Sequence, residues 1–106
     1  MATNLVIGGV SFVCVRLAEA DFSDVAAIYV ILCVGSDGSS TVLDVGQSGQ
    51  LGSRIDNHER KGCWGRHCPN GNIWVCVHRM PGSTKQQREQ VESTLRSQFN
   101  PQCGER

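Results

Sequence analysis

The sequence predicts a small α/β domain of the α+β type, with a central, mainly antiparallel three-stranded sheet flanked by helices. Three observations carry that prediction. Two β-rich runs, AIYVILCV and TVLDVG, flank GSDGSS with its Asp-Gly turn, the pattern of a hairpin. A third β-rich run, NIWVCVH at 72–78, follows a polar segment. Apolar residues at helical spacing, Leu51 with Ile55 and then Val91, Leu95 and Phe99, lie on either side of that third run. With 106 residues, 40% hydrophobic and 19% charged, the chain has the size and composition of one globular domain.

The first segment, residues 5–16, reads as one strand with Val, Phe and Cys around a flexible Gly-Gly, and AEADFSD after it is polar punctuation. Residues 1–24 are therefore an N-terminal strand extension, and 25–106 the main domain. The run LVIGGVSFVCV is too short to span a membrane. The AEA at 18–20 is similar to a signal peptidase site. Against a cleaved leader, no Lys or Arg precedes the run, and Arg16 lies just before the site. Cleavage would also leave five of the six cysteines, an odd number for an oxidised domain. Cys14, Cys33 and Cys76 fall inside apolar runs, as small buried thiols do, so reduced thiols and a cytoplasmic location are expected.

In the hairpin, an even number of loop residues puts Tyr29 and Asp44 on one face. After Gly46 the turn QSG leads into a helix of about ten residues, on which Arg54 and His58 stack four apart. KGCWGRHCPNGN, 61–72, reads as a loop rich in Gly, Cys and Asn. Ser83 as N-cap with Gln86 forms a capping box for the last helix, which Asn100-Pro101 ends after Phe99.

Formal net charge is zero, yet its distribution is uneven: residues 1–53 carry −4, 54–88 carry +5 and 89–106 carry −1. A basic segment of that kind can hold phosphates although the whole chain is neutral. A solvated mixed-charge surface reads equally well from charge alone.

AIYVI at 27–31, DVGQSG at 44–49, RIDNH at 54–58 and REQVESTLRSQFNP at 88–101 resemble, in order and on matching element types, the GIY-YIG nuclease family. The resemblance covers residues 25–103. It implies a small GIY-YIG-like domain that hydrolyses DNA phosphodiester bonds with Mg²⁺ or Mn²⁺. Tyr29 would be the general base or its close assistant, Arg54 would stabilise the phosphate, and Glu92 would hold the metal. His58 would relay a proton or bind phosphate. The chemistry suits these residue types. A guanidinium offers paired donors without losing its charge, a carboxylate is a hard ligand for a divalent ion, and an imidazole titrates near neutrality.

Each has an ordinary reading beside it. Tyr29 fits a core aromatic, Arg54 a surface cation near Asp56 or Glu59, and His58 a solvated ring. Glu92 fits a salt-bridge ladder with Arg88 and Arg96, and Glu89 is the alternative metal ligand one turn earlier, farther from the helix end.

The sequence departs from the family's pattern in three places. Ala27 replaces the first glycine. Asp44 replaces the second tyrosine, and could accept a proton or approach the metal but not copy a phenol's donor. Gly104 stands where an asparagine is expected, with Asn100 and Gln102 as substitutes. The alternative function is thus a weakened or inactive nucleic-acid-binding module of the same fold.

Arg60, Lys61, Trp64 and Arg66 together suggest nucleic-acid contact by stacking and phosphate pairing, against a tryptophan lid over the core. His58, Cys63, His67 and Cys68 make a zinc ligand set, though not at a standard spacing. A chain this small, acting on DNA, would borrow its targeting from a partner protein or a second copy.

Overall fold

The computed structural model of the chain describes residues 2–104. Five strands, β1 (Thr3–Ile7), β2 (Val10–Arg16), β3 (Ala27–Val34), β4 (Ser40–Ser48) and β5 (Ile73–Arg79), form one sheet in the order β1-β2-β5-β3-β4. Every neighbouring pair is antiparallel. The helices are α1 (Leu51–Asp56), α2 (Lys61–Arg66) and α3 (Lys85–Phe99).

The three-stranded sheet expected from the sequence is thus five-stranded. Residues 5–16 do not form one strand, because Gly8 and Gly9 both take positive φ, 59° and 79°, and fold the segment into a hairpin. Paired positive φ values are what a two-residue hairpin turn needs, and glycine reaches them without strain. A Cβ on Gly8 would lie 2.6 Å from Leu95 Cδ2, so the turn also rests on α3. β2 then pairs with β5, and the extension joins the main sheet.

The sheet separates two cores. One face presents Tyr29, Ile31, Leu43, Val75 and Val77 to Leu51, Ile55 and Trp64 of α1 and α2. The other presents Phe12, Ile28, Val30, Val45 and Cys76 to Leu95, with Val91 and Phe99 packed at its margin. Period-2 alternation along β3 sets this division. Tyr29 stands opposite Gly46 and Ile31 opposite Asp44, so Tyr29 and Asp44 share a face, but not for the expected reason: the loop 35–39 holds an odd number of residues, and a register shift within the strands restores the pairing. The register shifts between Ile31 and Leu32, a bulge that leaves Leu43 without a partner of its own.

The helix expected after Gly46 is shorter than its pattern implies. α1 stops at Asp56, and Asn57 caps it by donating Nδ2–H to the Ser53 carbonyl. Leu51 and Ile55 are its buried pair, as expected. Asp24 fastens its first turn, accepting from Ser53 N and Oγ at 2.7 and 2.8 Å. The expected loop at 61–72 begins instead with α2, which buries Trp64. α3 is capped one residue later than predicted. Thr84 Oγ1 accepts from Gln87 N, and Thr84 N donates back to Gln87 Oε1. Asn100 closes α3 in the left-handed conformation, with Pro101 behind it.

The expectation of reduced thiols is overturned. The cysteines pair as Cys14–Cys76, Cys33–Cys68 and Cys63–Cys103. A buried half-cystine in a strand leaves the same apolar pattern as a buried thiol, so the linear pattern could not tell them apart. Among the described residues no helix is long and apolar enough to cross a membrane.

Candidate active site

Tyr29 crosses the β4 backbone at the one residue that leaves it room. A Cβ on Gly46 would come within 2.1 Å of the tyrosine hydroxyl, so glycine there is a packing requirement. Tyr29 is only 1% exposed and lies in the wall of an open pocket of about 650 Å³. His58 lies behind it, with Nε2 2.6 Å from Tyr29 Oη. Because α1 ends at Asp56, His58 does not share a helix stripe with Arg54. The chain turns it inward, where its side chain is fully buried.

The tautomer of His58 follows from its partners. Nδ1 accepts from the Arg60 backbone N–H at 3.1 Å, so the proton of the neutral ring sits on Nε2 and is donated to Tyr29. Burial, then Arg54 and Arg60, lowers the imidazole pKa to about 4, which keeps it neutral. His58 is therefore a donor to the tyrosine oxygen and a poor acceptor of its proton. Burial raises the Tyr29 pKa, with Arg54 and Arg60 pulling the other way.

Arg54 and Glu92 reach the same pocket from α1 and α3. Arg54 makes a two-pronged pair with Glu59, 2.5 and 3.0 Å, which raises its own pKa and lowers that of Glu59 to about 2. Glu92 is partly buried and its carboxylate makes no hydrogen bond among the described residues; its ion-pair partner is Arg96, Nε at 3.9 Å. Burial raises its pKa against the pull of Arg96 and Arg60. The expected ladder from Glu92 to Arg88 is not formed, since Arg88 is buried and donates to Gln47 and Ser83. Asn100, which closes α3, also lines the pocket.

Asp44 is not available for proton or metal chemistry, which corrects its place among the catalytic candidates. It is fully buried and saturated. Oδ1 accepts from Arg96 at 2.6 Å and from Val45 N at 2.9 Å. Oδ2 accepts from Arg60 Nε at 2.7 Å and Trp64 Nε1 at 2.9 Å. The change at position 104 belongs to the same unit. A Cβ there would stand 2.3 Å from Arg96 Nη2 and 2.9 Å from Asp44 Oδ1, and Gly104 has φ of 96°. Asp44 and Gly104, far apart in the sequence, thus pack together around Arg96 behind the pocket.

The proposed stacking surface is corrected in the same way. Trp64 is fully buried under His58 and cannot stack on a base. Arg60 is engaged by Asp44 yet still lines the pocket. Lys61 and Arg66 are exposed on α2. The four-residue zinc set does not assemble, because Cys63 and Cys68 belong to different disulfides and His58 is bonded to Tyr29. His67 does lie near Cys63 and Cys103, but those two sulfurs are joined to each other. Glu59, which occupies Arg54, was named in the sequence only as a neighbouring charge; its spacing of five from Arg54 gave no helical-pair signal.

Comparison of the chain with protein-family models, with curated proteins and with solved structures returns no match.

Proposed function

We propose that this domain is a metal-dependent endonuclease that hydrolyses DNA phosphodiester bonds, as its resemblance to the GIY-YIG family implies. The observation that supports the reading most is the meeting of Tyr29, Arg54 and Glu92 in one pocket, from β3, α1 and α3. Residues 29, 54 and 92 have no local reason to converge.

Glu92 suits Mg²⁺ or Mn²⁺. It is a hard oxygen donor with no hydrogen bond among the described residues, and such ions accept one carboxylate together with waters and phosphate oxygens. The ion, when bound, would polarise the phosphate and stabilise the leaving oxygen. Arg54 would grip a non-bridging pair of phosphate oxygens with the fork it now gives to Glu59. Tyr29 would take the proton of the attacking water as its phenolate. The His58 Nε2–H, together with Arg54 and Arg60, favours that phenolate against the burial that opposes it. Lys61 and Arg66 would add phosphate contacts along α2. The three disulfides favour an oxidising compartment over the cytoplasm expected from the apolar setting of the cysteines.

The second reading, a nucleic-acid-binding module without turnover, draws on the raised pKa of Tyr29. Supercoiled plasmid incubated with Mn²⁺ or Mg²⁺ separates the two. Nicking by the native chain and its loss, by about a hundredfold or more, in Glu92→Gln supports the nuclease. Equal nicking by both excludes Glu92 as the metal ligand, and DNA binding without nicking in either leaves the module.

A further inference from the structure

We infer that Glu59 is a built-in competitor for the substrate phosphate, which occupies the Arg54 fork in the free protein and must swing out before the site can fill. The inference rests on the phosphodiesterase reading above. It starts from where the carboxylate sits. Glu59 Oε2 and Oε1 accept from the two terminal nitrogens of Arg54 at 2.5 and 3.0 Å, and Oε1 also lies 3.3 Å from Arg60 Nη1. Arg54 and Arg60 are both pocket residues. A carboxylate held between two guanidiniums, with two parallel N–H···O bonds to one of them, has the same donor arrangement that a phosphate takes.

The two partners differ in freedom to move. The Glu59 side chain is 60% exposed, against 32% for Arg54. Glu59 lies outside the helices, in the turn between α1 and α2. Arg54 stays on α1, whose Leu51 and Ile55 are fixed in the core. The carboxylate can thus rotate into water while the guanidinium remains aimed at the pocket. An exposed ion pair is weak enough to be displaced by a dianionic or polyanionic ligand. Arg60 does not depend on Glu59 for neutralisation, because Asp44 holds it at 2.7 Å. Glu59 therefore tunes affinity and does not support the fold.

The test is binding of a fluorescein-labelled DNA duplex in EDTA, so that neither metal nor turnover enters. Glu59→Gln keeps the size of the side chain, removes its charge, and should tighten binding about three- to fivefold. Asp56→Asn, the removal of an exposed acid on α1 nearby, should tighten it less than about 1.5-fold by general charge alone. In an Arg54→Ala background Glu59→Gln should give no more than Asp56→Asn does. An equal gain from Asp56→Asn, or an undiminished gain without Arg54, overturns the inference, as does unchanged or weaker binding by Glu59→Gln. If Arg54→Ala alone weakens binding while Glu59→Gln does nothing, the phosphate site stands and only the competitor falls. If no variant binds DNA, the phosphodiesterase reading falls first and this inference with it. Circular dichroism melts of each variant exclude loss of folding as the cause.

Discussion

Asp44 and Glu92 both face Arg96, with opposite consequences. Asp44 lies behind the pocket, fully buried, with four donors on its two oxygens besides its neighbour's backbone N–H. Glu92 lies in the pocket wall, partly exposed, at 3.9 Å from the same arginine. A buried carboxylate whose lone pairs are all occupied holds structure, because removing it takes the shared anion from two largely buried guanidiniums, Arg60 and Arg96. A carboxylate with open lone pairs at a cavity can take a ligand. The difference teaches that the aspartate at position 44 belongs to the supporting layer and leaves the pocket wall with its own residues.

The comparison can be broken most forcefully at Asp44. Asp44→Asn leaves Arg60 and Arg96 without their shared anion, and should cost about 4 kcal/mol in urea unfolding. Glu92→Gln, measured in the same way, should change stability by less than about 0.5 kcal/mol. Equal losses from the two would remove the distinction.

A smaller effect separates the layers by pH. The folded pKa of His58 is depressed to about 4 from an unfolded value of 6.5, so the unfolded chain binds the proton first as pH falls. The contribution of this group should therefore be lost between about pH 6.5 and 4, and amounts to about 3 kcal/mol. Chemical denaturation at several pH values checks it, with His58→Gln expected to flatten that part of the profile. A native profile already flat across this range would mean that the ring is not held neutral by its surroundings.

The smallest effect concerns the indole. Trp64→Phe keeps the apolar contact and deprives Asp44 of one donor, and should cost about 1 kcal/mol with DNA affinity unchanged. A loss of affinity without loss of stability would return Trp64 to the binding surface.

Much of the fold could be read along the chain. The hairpin β3–β4, the strand β5 and the last helix all follow from periodicity and turn chemistry, which are local. Local signals failed where two segments had to meet. Gly8-Gly9 reads as a flexible point in one strand, and only the pairing of β2 with β5 makes it a turn between two. Arg54 and His58 at a spacing of four suggest one helix face, but Asn57 ends α1 and His58 is drawn under Tyr29. Three of the pocket's residues were legible as chemistry, and the fourth partner, Glu59, was not, because its position beside Arg54 comes from the turn after α1.

Residue order alone therefore determined which side chains have chemistry to offer: a phenol on a strand, a cation after a tight turn, a carboxylate on the last helix. Tertiary structure alone decided which of them are free to use it. Freedom depends on what is packed against a group, and packing brings together residues whose separation in the chain gives no sign of contact. Asp44, whose partners lie 16, 20 and 52 positions away, is the plainest case.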